Sequence, residues 1–197
     1  MKDPITKTNL NRHQVTVIYN RRVLSVCVFL TIVTLTVFWQ VKNHEFIHLD
    51  DNLYITENKH VQGGTTIENL KWAFTTNHAP YWHPLTWLSH MLDVELFGLK
   101  AGLHHLMNVF FHIINTLLLF LILHRMTGAL WQSAFVATIF ALHPLHVESV
   151  AWVAERKDML STLFWMLTLG AYGSYVKRPG YRRYMLVLVC FLLGLMS

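Results

Sequence analysis

The feature that most restricts this chain is a series of apolar segments too long and too sparsely charged for the interior of a water-soluble domain. Val23 to Trp39, Leu103 to Leu123, Ala129 to Leu142 and Met159 to Val176 are long enough, or nearly so, to cross a hydrocarbon layer, which takes about 20 mainly apolar residues in a helix. A fifth run begins at Tyr184 and reaches the last residue, Ser197, after 14 residues. It is expected to be an incomplete span, and the chain a fragment of a longer reading frame. Charged residues make up 14% of the chain, against about 25% in soluble domains. Backbone groups in lipid must pair internally, so the expected fold is an all-α polytopic membrane helix bundle, truncated, with amphipathic helices in its first external loop. Arg21 and Arg22 precede the first span and no small-residue cleavage site follows it, so it is read as an uncleaved anchor. Cys27 and Cys190 lie inside apolar runs and read as small packing residues.

Charge sets the expected orientation. If each span reverses direction, one face holds residues 1–22, the turn near Arg125 and the loop "KRPGYRR", with ten Lys/Arg against one acid, Asp3. The other face holds residues 40–102 and 143–158, with six Lys/Arg against ten acids. Basic loops stay cytoplasmic, which places residues 1–22 inside and both acidic loops outside. The net charge of +5 is then a topology signal, and no nucleic-acid partner is implied. Ten of the thirteen histidines also fall at or near the outer face.

Four segments could carry chemistry there. In "HLDDNLYI", Asp50 and Asp51 are adjacent carboxylates; their repulsion can raise one pKa and make a proton acceptor, or the pair can hold a divalent cation, while a turn or helix cap is the plainer alternative. "HAPYWHPLTWLSHMLDVELFGL" offers Pro84 as a first helical residue, with leucines and Trp87 at helical spacing, which suits a helix lying on the membrane surface. His83 and His90, seven apart on one face, line a site or sit in the wet interface. Inside the second span His105, Asn108, His112 and Asn115 form a stripe on one helix face, directed into the bundle either for function or for helix-to-helix hydrogen bonding. In "HPLHVESVAWVAERKDML", continuous helix would put Glu148, Trp152 and Glu155 on one face, with Arg156 and Asp158 alongside. The chain contains no GxSxG, phosphate-loop or CxxC pattern.

Taken in order, "HLDDNLYITEN", "LKWAFTTNHAPYWHPLTWLSHMLDVELFGL", "HHLMNVFFHIINTLLLF" and "ALHPLHVESVAWVAERKDMLS" resemble the amino-terminal membrane part of the transmembrane and tetratricopeptide-repeat proteins. These are O-mannosyltransferase-like glycosyltransferases of the C type, found in bacteria and eukaryotes, and the likeness runs from about residue 44 to the end. It implies a GT-C-like bundle in the bacterial inner membrane with a cytoplasmic N-terminus and a periplasmic or external active face. The implied reaction moves a sugar, mannose first, from a polyprenyl-phosphate donor to an acceptor protein or glycan, with inversion. The acidic pair is the family's catalytic motif and falls here on Asp50 and Asp51, so the resemblance implies that both are catalytic. Its second external loop matches Glu148 to Asp158, so Arg156, Lys157 and nearby histidines are expected to meet the donor phosphate. The full candidate set for donor and substrate is His83, His143, His146, Glu148, Glu155, Arg156, Lys157 and Asp158. No cofactor is expected; a divalent metal, Mg or Mn, is the alternative. Members of the family continue into further spans and tetratricopeptide repeats.

Two other functions compete. In one, His105 with His112, or His143 with His146, ligates haem or a metal in a membrane protein. In the other, the chain is a non-catalytic anchor or pseudoenzyme.

Overall fold

The computed structural model describes the backbone of residues 4–76 and 81–197 and the side chains of that range from residue 20 onward. His78 to Pro80 of the second quoted block, and most side chains of the basic N-terminal segment, lie outside the described residues. Among the described residues the chain is all-helical, with no strand. Five helices fall on the five apolar runs: α1 (Pro4–Phe38), α5 (Ala101–Thr127), α6 (Leu130–Leu142), α8 (Arg156–Lys177) and α9 (Tyr181–Leu195), the intervening numbers belonging to shorter helices whose ranges follow. Two segments, Asn20–Asn43 and Ala101–Thr127, are long and apolar enough to cross a membrane, while Leu130–Leu142 is apolar but shorter. α8 is less apolar because Arg156, Lys157 and Asp158 fill its first turn.

The turns follow local chemistry. α5 ends where Gly128 takes a left-handed conformation, φ 73°, and its N–H bonds the His124 carbonyl, a terminus that glycine adopts without a Cβ penalty. The α8–α9 hairpin turns through Arg178, Pro179 and Gly180. α9 returns to the layer where α8 began, since the Leu85 N–H bonds the Met196 carbonyl at 2.9 Å. α1 leads into a 3-10 turn, Trp39–Asn43, that meets the start of α5 so closely that a Cβ on Gly102 would strike the Lys42 carbonyl oxygen.

Over this end of the bundle lies a layer built from residues 39–100 and 143–155. It contains a π-turn (Asn52–Thr56), α2 (Lys59–Gln62), α3 (Ile67–Thr75), α4 (Pro84–Phe97), α7 (His146–Ala151) and a 3-10 turn (Val153–Glu155). Asn58 caps α2 by accepting from His60 and Val61, and Thr66 caps α3 by accepting from Asn69. Pro84 opens α4 as expected. The layer has its own apolar core, in which Tyr54, Ile55, Val61, Ala73, Trp87 and Met91 pack with Val153 and Ala154 of the second loop.

Two expectations change here. α4 does not present Trp87, His83 and His90 to a wet interface, because each is at most 1% exposed; the aromatic face of the helix closes on Tyr54, and only the Leu92 and Leu96 side stays open. The helix through Glu148, Trp152 and Glu155 is also interrupted. Trp152 is extended, with ψ 125°, and separates α7 from the 3-10 turn, so the three side chains do not share one helix face.

Candidate functional site

The break at Trp152 frees backbone carbonyls that must find partners below the surface. The polar stripe of α5 supplies them. His105 Nδ1 meets the Ala151 carbonyl at 2.7 Å, Asn108 Nδ2 donates to Trp152 O at 2.7 Å, His112 Nε2 meets Ala141 O at 3.1 Å and Asn115 Nδ2 donates to Met159 O at 2.9 Å. All four stripe residues are fully buried. The stripe therefore faces inward as its spacing indicated, and it grips backbone where α6, α7 and α8 end or begin.

Arg156 completes this scaffold. Its guanidinium is fully buried and donates to Ser89 Oγ at 2.8 Å, Asp93 Oδ2 at 2.7 Å and the His104 carbonyl at 3.0 Å, while Nε donates to Asn108 Oδ1. A charge removed from water needs this full set of partners. Ser89 and Asp93 come from α4, Asn108 and His104 from α5, and Arg156 opens α8, so one side chain ties three helices together.

The turn so held presents the N–H of Ala154 to Asp51. Asp51 Oδ1 accepts from Ala154 N at 3.0 Å and Oδ2 from Ile47 N at 2.8 Å, and the side chain is fully buried. Burial holds its carboxyl above the ordinary carboxylate range, against the pull of those two N–H groups. Asp50 differs. It opens the same helical turn, is only half-buried, and has no hydrogen bond to any described residue. Beside it Tyr54 stacks on His83 with ring centroids 5.5 Å apart and on Trp87 at 4.8 Å. Burial, then the negative charges of Asp50 and Glu155, push the Tyr54 hydroxyl up to about 12, so it stays a neutral donor. Burial, then the Lys157 ammonium, hold His83 down to about 4. Lys157 pairs with Glu155 at 2.8 Å, both partly open to solvent. Asp50, Tyr54, His83, Glu155 and Lys157 are thus linked in one polar cluster, in which Tyr54 and His83 are buried and the partly open Asp50, Glu155 and Lys157 form its mouth.

Of the eight donor and substrate candidates, His83, Glu155 and Lys157 reach this mouth. Arg156 lies beneath it, with its donors spent on protein. Asp158 accepts from Ser149 Oγ at 2.9 Å. His143, exposed, and His146, against Phe140 at 4.6 Å, stand at the α6–α7 junction beside His112, and Glu148 is exposed on α7. No contact joins these three to the Tyr54 group among the described residues. Tyr54, Ser89, Asp93 and the Ala154 N–H escape a reading of the sequence; an acid on the apolar α4, three residues after His90, was the available sign of the second helix-tying partner. Between α8 and α9, near the layer, an apolar crevice of about 380 Å³ is lined by Trp165, Leu169, Phe191 and Leu195 among others.

The class these features define is an all-helical protein with membrane-length apolar helices and an acidic polar site at one end of them. The chain is similar to protein O-mannosyl-transferase TMTC1 of Mus musculus, 34% identical over 141 residues, 65% of this chain and 14% of the relative. It is also similar to Protein O-mannosyl-transferase TMTC3 of Mus musculus, 32% identical over 139 residues covering 66% and 15%, and to Protein O-mannosyl-transferase Tmtc2 of Drosophila melanogaster, 28% identical over 165 residues covering 79% and 17%. These relatives are eukaryotic, and the chain spans less than a quarter of the length of each. They support kinship with a TMTC-like family. No family model matches the chain, and no solved structure matches it.

Proposed function

We propose that this chain forms the outer-face catalytic portion of a membrane glycosyltransferase of the GT-C-like kind, moving mannose from a polyprenyl-phosphate donor to a protein hydroxyl. Its five helices cross the membrane in alternation, with the Asp50 layer outside. Asp50 takes the proton of the acceptor hydroxyl as that oxygen forms a bond to the sugar's anomeric carbon. The bond from that carbon to the phosphate oxygen breaks with inversion, and polyprenyl phosphate leaves. Lys157 meets the charge gathering on the phosphate, and Tyr54, kept neutral, serves as a hydrogen-bond donor at the mouth. Asp51 and Arg156 act through others: the first locks the Ala154 turn, the second holds the helices that carry it. The polyprenyl tail lies in the α8–α9 crevice, close to the layer.

The observation that carries this reading is the division within the acidic pair, one carboxylate fully engaged by backbone and its neighbour half-buried, with no hydrogen bond to a described residue, its charge acting on Tyr54. The likeness to proteins named O-mannosyl-transferases supports the choice of sugar and acceptor. The test is transfer of labelled mannose from polyprenyl-phosphate mannose to acceptor protein in membranes carrying the chain, with donor photocrosslinking in parallel. Asp50→Asn is expected to slow transfer by about 100-fold or more while leaving the crosslink to α8 and α9 in place. Equal transfer by wild type and Asp50→Asn, or a donor that never crosslinks to α8 or α9, defeats the reading.

A further inference from the structure

Beneath the mouth lies a second group of side chains that the proposed transfer does not use. His90 and Asp93, three apart on α4, meet His104 from the first turn of α5; the three are at most 1% exposed, and one ligand atom from each lies within 4.8 Å of the others. Neither ring nitrogen of His90 has a hydrogen-bond partner, and neither does His104 Nδ1. A buried polar atom without a partner costs roughly 1–3 kcal/mol, so three such nitrogens beside one carboxylate need a reason.

The surroundings indicate one. His104 Nε2 stands 2.8 Å from the Gly98 carbonyl, which accepts only, so the ring nitrogen that carries hydrogen points away and the bare Nδ1 points at Asp93, 3.7 Å distant. Asp93 in turn is held on Oδ2 by Arg156 at 2.7 Å. A histidine oriented by a carbonyl on its far nitrogen, and a carboxylate oriented by an outer donor, form the supporting shell of a metal ligand set. We propose that His90, Asp93 and His104 bind a single Zn2+ ion, with a water as the fourth ligand, and that the ion pins α4 to the start of α5.

Two imidazoles and one carboxylate suit zinc, whereas the hard ions Mg2+ and Ca2+ prefer oxygen alone. The Arg156 charge opposes a second cation nearby, which further excludes ions that lack strong bonds to imidazole. Zinc–ligand bonds of about 2.0–2.2 Å put donor atoms of a tetrahedron about 3.4 Å apart, so atoms now within 4.8 Å of one another close by at most about 1.4 Å, within reach of side-chain rotation. The proposal is independent of the transferase reading, and the site differs from the His105/His112 and His143/His146 pairs.

The test uses the full chain purified in detergent micelles, stripped with chelator and titrated with Co2+ as a spectroscopic stand-in. Wild type is expected to develop the visible d–d bands of tetrahedral cobalt, saturating at one equivalent and displaced by Zn2+, with Tm rising as Zn2+ is added. His90→Gln and His104→Gln are each expected to weaken Co2+ binding by about 100-fold, and the double variant His143→Gln/His146→Gln to leave it unchanged. Bands that persist in both His90→Gln and His104→Gln overturn the assignment. So does a wild-type chain whose spectrum and Tm both ignore the metals, whatever the variants do.

Discussion

At the residue scale, adjacent carboxylates of identical chemistry are separated by what surrounds them. Asp51 is sealed in and bonded to Ile47 and Ala154, whereas Asp50 keeps its oxygens available. Asp51→Ala leaves both N–H groups without an acceptor, at about 1–3 kcal/mol for each that is buried, so chemical denaturation is expected to shift to lower denaturant in this variant and not in Asp50→Asn. His83 supplies a pH test. Its pKa is lowered to about 4 when folded, against about 6.5 when unfolded, so between those values the unfolded chain binds more protons. Stability is full above about pH 6.5 and falls as pH drops towards 4, by up to about 1.4 kcal/mol per pH unit for this one group. Tm measured across that window should lose part of its slope in His83→Phe, whose ring preserves the stack on Tyr54. An unchanged slope would show that other groups set it.

At the scale of elements, α5 is the organising part. Its stripe was visible as spacing, but its partners were not: they are carbonyls at the end of α6, at a helix break that no residue at Trp152 announces, and in the first turn of α8. Asn108 both donates to Trp152 O and accepts from Arg156. Asn108→Leu is therefore expected to destabilise by more than the roughly 1 kcal/mol of an ordinary interhelical bond in membranes, because it leaves a buried guanidinium short of a partner. Resistance of the chain to protease at the 143–155 loop would report this directly, and wild-type resistance in the variant would contradict it. Gly102 gives a second test at this scale. Gly102→Val must push the Trp39–Asn43 turn away from α5, and crosslinking between cysteines placed on those two segments should fall.

At the scale of the whole molecule, charge separates along the bundle: acids gather in the layer of residues 39–100 and 143–155, and Arg125, Lys177, Arg178, Arg182 and Arg183 at the opposite turns. A cysteine at Asn52 is expected to react with a membrane-impermeant thiol reagent added outside intact cells, and one at Pro179 only after permeabilisation. The reverse pattern would place Asp50 in the cytoplasm and remove the proposed donor from its reach.

Composition and periodicity by themselves determined that the chain is helical, where its apolar helices run, two of them of membrane-crossing length, which end of them is acidic, and that the α5 stripe turns inward. These are local quantities, set by the hydropathy of successive residues and the 3.6-residue turn. Only the tertiary structure decided that Arg156 is a tie between three helices, that the two aspartates differ in burial and partners, and that His90, Asp93 and His104 meet. Each depends on groups distant along the chain arriving at one buried point, where the loss of water makes the identity of the nearest partner decisive.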